Sequence, residues 1–201
     1  RRRRRRHDGG RFIFGRCGFG RVGRLDPVRL QFLDARLLFF LGMDALPFDT
    51  LRQSAKPVVA AVNGLCQGGG LQIALCADMA VVSDRATFRV PELYRGIADT
   101  YYSHMLARLI GPVRTRDLMF TGRFVDAAEA LAIGLVDEVV APDEVYNAAL
   151  AWAGQFDGAA SVALAAIKKA VDQGLGVDLD TGLKIEEQLF APLFATEDRA
   201  I

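Results

Sequence analysis

Short apolar runs separated by glycine-rich turns fill the first half of the chain, and stretches of helical period fill the second. Residues 30–33 and 37–41 are brief apolar runs that predict strands, the second closed by a turn at Gly42-Met43-Asp44. The run over 58–62 shows no polar alternation and is rich in β-branched residues, which predicts a strand buried on both faces. Asn63-Gly64 marks a turn, and Gly68, Gly69 and Gly70 form a second. From Leu71 the apolar positions recur at 73, 74, 75 and 77, as in a buried helix. Strands are predicted at 79–83, 87–90 (ended by Pro91) and 135–140. Helices are predicted at 100–110 with Asp99 as N-cap, then at 113–120, 126–133, 143–156, 161–173 and 183–194. The alternation of strand and helix signals makes this an α/β chain, and no internal repeat interrupts it.

With 201 residues and 51% hydrophobic content, the chain has the length and apolar content for one well-filled domain. No apolar run reaches the ~18 residues of a membrane helix. The longest candidate, 37–46, is broken by Gly42 and Asp44. Cys17, Cys66 and Cys76 lack metal-ligand spacing, so no metal site is expected; reduced thiols in a cytoplasmic protein are the simplest account. The overall charge of +1 hides an asymmetry. Residues 1–50 carry 12 Arg against 5 Asp (+7), whereas 51–201 carry 13 Lys plus Arg against 19 Asp plus Glu (−6). Six consecutive arginines open the chain and could contact nucleic acid. A disordered leader over 1–25, outside a single domain at 26–201, is preferred over a nucleic-acid partner. Within that leader Gly18, Gly20 and Gly23 match a dinucleotide-binding pattern, with Phe12-Ile13-Phe14 as a possible strand before it. Pro27 arrives where the required helix would run, so that reading fails on context.

The glycine triplet is the strongest chemical signal. A turn that feeds a helix N-terminus leaves backbone N–H groups without intrahelical acceptors. Such groups can hold an anion or a developing oxyanion, and they equally occur in a plain strand-to-helix connection. Motifs around the triplet resemble the crotonase family, the enoyl-CoA hydratases and isomerases. The residues carrying the resemblance are the KPVVAAVNG block with GGG at 56–70, Ala77-Asp78-Met79, ATFRVPE at 86–92, LARLIG at 106–111, and FTGRFVDAAEA at 120–130 with Gly134-Leu135-Val136. A weaker match reaches back to Asp26, where Phe40-Leu41-Gly42-Met43-Asp44 resembles the family's oxyanion loop. Residues 1–25 do not match the family's first strand and helix, the segment between Asp44 and Lys56 is short by about a helix, and the family's last helix is absent after Ile201.

The resemblance implies a crotonase-like ββα spiral with a helical C-terminal region from about residue 143. It implies an acyl-CoA substrate, coenzyme A entering only as part of that substrate, no separate cofactor, and a homotrimer or hexamer. Backbone N–H groups of Met43 and Gly69 would form the oxyanion hole. Gly68, Gly70, Asp44, Pro91 and Asp99 would border the substrate. The two glutamate positions of the family's hydratases fall on Gln72 and Glu92. An amide can orient water but cannot exchange a proton at neutral pH, whereas a carboxylate can. A single acid suits isomerisation of an enoyl-CoA, which the resemblance therefore favours slightly over hydration. Two alternatives follow from the same residues: a catalytically impaired CoA-binding homologue, because of Gln72, and a dehalogenase-like enzyme using Asp99-Thr100.

Overall fold

The computed structural model describes residues 11–15, 47–98 and 100–197. Two small sheets alternate along the chain. The first has strand order β1 (Arg11–Gly15), β2 (Val58–Val62), β4 (Met79–Ser83), β7 (Glu138–Val140), and all its pairs are parallel. The second joins β3 (Leu65–Gln67), β5 (Thr87–Arg89) and β6 (Val125–Asp126), parallel between β3 and β5 and antiparallel between β5 and β6. Helix α1 (Pro47–Arg52) precedes β2, and α2 (Gly69–Leu75) links β3 to β4. The successive pairs β2–β3 and β4–β5 each supply one strand to each sheet before a helix follows, as expected for a ββα spiral. After β5 comes a single 3-10 turn, Glu92–Arg95, then α3 (Thr100–Ile110), α4 (Pro112–Thr121) and α5 (Ala127–Ala132). The C-terminal region is helical: α6 (Val145–Gly154), α7 (Ser161–Gly174), α8 (Leu179–Phe190) and a 3-10 turn at Ala191–Ala195.

Alternation along β2 explains why its sequence reads as unbroken apolar. Ala60 and Val62 face a core shared with Leu71, Val82, Phe88, Tyr102 and Leu106. Val59 and Ala61 face the opposite side, where Val145, Ala149 and Ala153 of α6 cover them. Both faces of the strand are thus out of water, as a parallel sheet requires. Asp78 fixes the start of β2. Its Oδ2 accepts the Val58 N–H at 2.7 Å and the Lys168 ammonium at 2.8 Å, which ties α7 to the start of β2.

Several expectations are corrected here. Arg11–Gly15 is a strand paired in register with β2, Phe12 opposite Val59, where an unstructured leader was expected. Phe12-Ile13-Phe14 is a β-prone run, and it pairs with an edge of β2 that would otherwise lie open. Strand β3, between the two predicted turns, is only three residues long and too short to leave a pattern. The last long helix starts at Leu179 instead of 183, because Asp178 Oδ1 caps it by accepting the Thr181 N–H at 3.0 Å. It gives way to a 3-10 turn at Pro192. The predicted strands at 30–33 and 37–41, and the cap residue Asp99, lie outside the described residues.

No residue of α7 or α8 is buried, and both carry exposed apolar side chains, among them Ile167, Val171, Leu179 and Leu183. Among the described residues, no helix is long and apolar enough to cross a membrane.

Candidate active site

Parallel pairing of β3 with β5 puts Gln67 opposite Arg89. The chain leaves both strands on the same side of that pair, so Gly68 and the segment 90–92 emerge together. Gly68 has φ 56° and ψ −136°, a conformation that side chains disfavour. Its carbonyl turns back to accept the N–H groups of Leu71 at 2.9 Å and Gln72 at 3.1 Å. The hydroxyl of Tyr102, from α3, donates to the same carbonyl at 2.6 Å. Three donors on one oxygen hold the turn rigid. The next two N–H groups, of Gly69 and Gly70, begin α2 and have no intrahelical acceptor.

Glu92 reaches this turn from the other side. Pro91 caps the 3-10 helix that carries it, and Gly96, in the left-handed region at φ 69°, ends it after one turn. The Ile97 N–H closes the loop on the Glu92 carbonyl at 3.3 Å. The Glu92 side chain is turned inward, only 8% of the residue being exposed. Its Oε1 stands 3.4 Å from the position a Cβ on Gly68 would take. Gln72 is buried as well, one helical turn past Gly68. Gly68, Gly69, Gly70, Gln72, Pro91 and Glu92 are thus brought to one place. Met43, Asp44 and Asp99 lie outside the described residues, as do the six arginines at the start of the chain.

Tyr102 is a participant that the sequence did not single out. It is fully buried at the start of α3, and the adjacent Tyr101 makes the choice between them invisible to periodicity. His104 is exposed on the same helix, in line with a surface role. Trp152 is half-buried against the cluster that holds Val59 and Val81, and its indole N–H donates to Glu138 at 2.5 Å.

The sequence model of the enoyl-CoA hydratase/isomerase family matches residues 43–200. A protein of Rhizobium meliloti named a probable enoyl-CoA hydratase is 39% identical over 171 residues, 85% of this chain and 65% of the relative. A short-chain-enoyl-CoA hydratase of Clostridium acetobutylicum is 40% identical over 153 residues, 76% of this chain and 59% of the relative. The crystal structure of an enoyl-CoA hydratase from Bacillus anthracis superposes with a TM-score of 0.73 at 32% identity, covering 76% of this chain and 60% of that one. The chain therefore spans somewhat less than two thirds of the length of these relatives. The chain belongs to the enoyl-CoA hydratase/isomerase family.

Proposed function

We propose that the protein acts on an enoyl-CoA thioester by stabilising its enolate, with Glu92 as the group that moves the proton. The observation that carries this reading is the Glu92 carboxylate lying against Gly68, beside the N–H groups that open α2. In this scheme the thioester oxygen, as it becomes negative, is held by the Gly69 N–H. The Met43 N–H is the second donor by resemblance. One such donor is worth about 2.7–4 kcal/mol of the barrier.

The names of the relatives favour water addition, so the slight preference for isomerisation drawn from Gln72 finds no support among them. For hydration, Gln72 would hold a water by its amide and Glu92 would take one of its protons. The water oxygen bonds to C3, the C2–C3 π electrons move into the thioester as an enolate, and Glu92 returns the proton to C2. Isomerisation remains the second reading because it needs no activated water. There Glu92 would carry a proton from C2 of a 3-enoyl thioester to C4, through the same enolate. Coenzyme A takes part only as a portion of the substrate.

The exposed apolar residues of α7 and α8 support self-association, and we propose a homotrimer or a dimer of trimers. Sedimentation equilibrium would read this directly. Cys76 is a buried free thiol, which suits a reducing compartment such as the cytoplasm.

The test is a mass-spectrometric assay of product from a 2-enoyl-CoA and, separately, a 3-enoyl-CoA. Gain of one water from the 2-enoyl substrate supports hydration. Conversion of the 3-enoyl substrate to its conjugated isomer at unchanged mass, with no water gained by either, supports the second reading. Neither product from a folded sample would contradict both and leave the impaired homologue.

A further inference from the structure

Glu92 sits between two residues anchored to a turn some thirty positions later in the chain. Arg89, at the end of β5, donates from Nε to the Gly122 carbonyl at 2.6 Å. The Tyr94 hydroxyl donates to the Thr121 carbonyl at 2.5 Å. These carbonyls close α4, where the partial negative charge of the helix end favours a cationic donor. The Arg89 guanidinium also lies 5.0 Å from the Tyr94 ring centre and 4.7 Å from that of Phe124, so the cation is held between two aromatic rings. Gly122 has φ 53°, and a Cβ there would stand 2.5 Å from Tyr94 Cε2 and 3.2 Å from the Val90 carbonyl. The glycine is needed both for the left-handed turn and for the space the ring occupies.

Tyr94 is 66% exposed, so its ring adds little to the core. Its bonds instead set where the 3-10 turn lies on the end of α4. We propose that Arg89 and Tyr94, seated on Gly122, are positioning residues for the Glu92 carboxylate. This rests on the reading of Glu92 as the proton-moving group. The clamp pins the chain three residues before Glu92 and two after it, which fixes the backbone from which the carboxylate reaches Gly68.

Steady-state kinetics, pH–rate profiles and thermal melts of Tyr94→Phe, Tyr94→Ala and Gly122→Ala, beside Glu92→Gln, test the proposal. Displacing a reacting group by about 1 Å costs on the order of 100-fold in rate. Gly122→Ala should approach that loss in kcat, Tyr94→Ala should fall short of it, and Tyr94→Phe, which keeps the ring, should lose about tenfold. KM should stay within about twofold, and the pH limb that vanishes in Glu92→Gln should be displaced in the Tyr94 variants. Tyr94→Phe removes only the hydroxyl of a residue that is 66% exposed, so it should fold and keep the proposal testable if Gly122→Ala does not. Wild-type kcat and pH profile in both Tyr94 variants, with Glu92→Gln inactive, would overturn the clamp alone. A Glu92→Gln protein as active as wild type would overturn the functional reading and the clamp with it.

Discussion

Glu92 Oε1 stands 3.4 Å from the point where a side chain on Gly68 would begin. The carboxylate and the helix-opening turn thus lie side by side, and Gly68 is the residue where they meet. Its carbonyl collects the Leu71, Gln72 and Tyr102 donors, and its φ of 56° makes the turn.

Replacing Gly68 by Ala should therefore damage fold and chemistry together. A side chain at φ 56° costs about 1–3 kcal/mol of strain. The new methyl would touch Glu92 at ordinary contact distance, so the carboxylate need move little. Urea denaturation should show the stability loss. Turnover should fall by more than that loss explains, because the Gly69 N–H tilts with the turn. A full-rate Gly68→Ala protein would mean that the turn plays no part in the reaction.

Asp78 and Lys168 make an asymmetric pair. Lys168 is only 10% exposed at its side chain, yet its removal leaves Asp78 Oδ2 still bonded to the Val58 N–H. Lys168→Met is expected to cost about 1 kcal/mol. Asp78→Ala removes both bonds, strands the N–H at the head of β2 and leaves a largely covered ammonium, so it should cost about 3 kcal/mol or more. Chemical denaturation of both variants checks the order. Equal losses would show that Asp78 acts only through the ion pair.

Acid should weaken the block around Arg123. Its guanidinium bonds Asp117 Oδ2 at 2.7 Å and Glu129 Oε1 at 2.6 Å. Hydrogen bonding to Arg123 holds the Glu129 carboxyl below its ordinary value of 4.5. A carboxyl lowered in the folded state contributes stability that is present above its unfolded value and is lost as pH falls through the folded one. The contribution should therefore be complete above 4.5 and disappear below it. Both side chains are more than a third exposed, which limits the pair to roughly 1 kcal/mol or less. Melting temperature against pH should show a shallower acid limb in Arg123→Met than in wild type.

Much of this architecture is legible in the sequence because its signals are local. The β2 run, the helix at 100–110 and the glycine turn each announce themselves within at most 11 residues. β1 was hidden in an Arg- and Gly-rich context, although Phe12-Ile13-Phe14 carried the signal. Glu92 illustrates the other limit. Its residue type and place after Pro91 marked it, but its inward turn depends on Arg89, Tyr94 and Gly122, whose partnership spans some thirty positions. Tyr102 is likewise unreadable in advance, since which of two adjacent tyrosines meets Gly68 is settled by how α3 packs.

The most direct test of the account is Glu92→Gln, which keeps the shape of the side chain and removes its capacity to exchange a proton. Turnover of the preferred enoyl-CoA should fall by about 10²–10⁴-fold, with the melting temperature and the affinity for the acyl-CoA largely retained. A folded Glu92→Gln protein turning over at the wild-type rate would contradict the central claim, because the proton would then be moved by some other group.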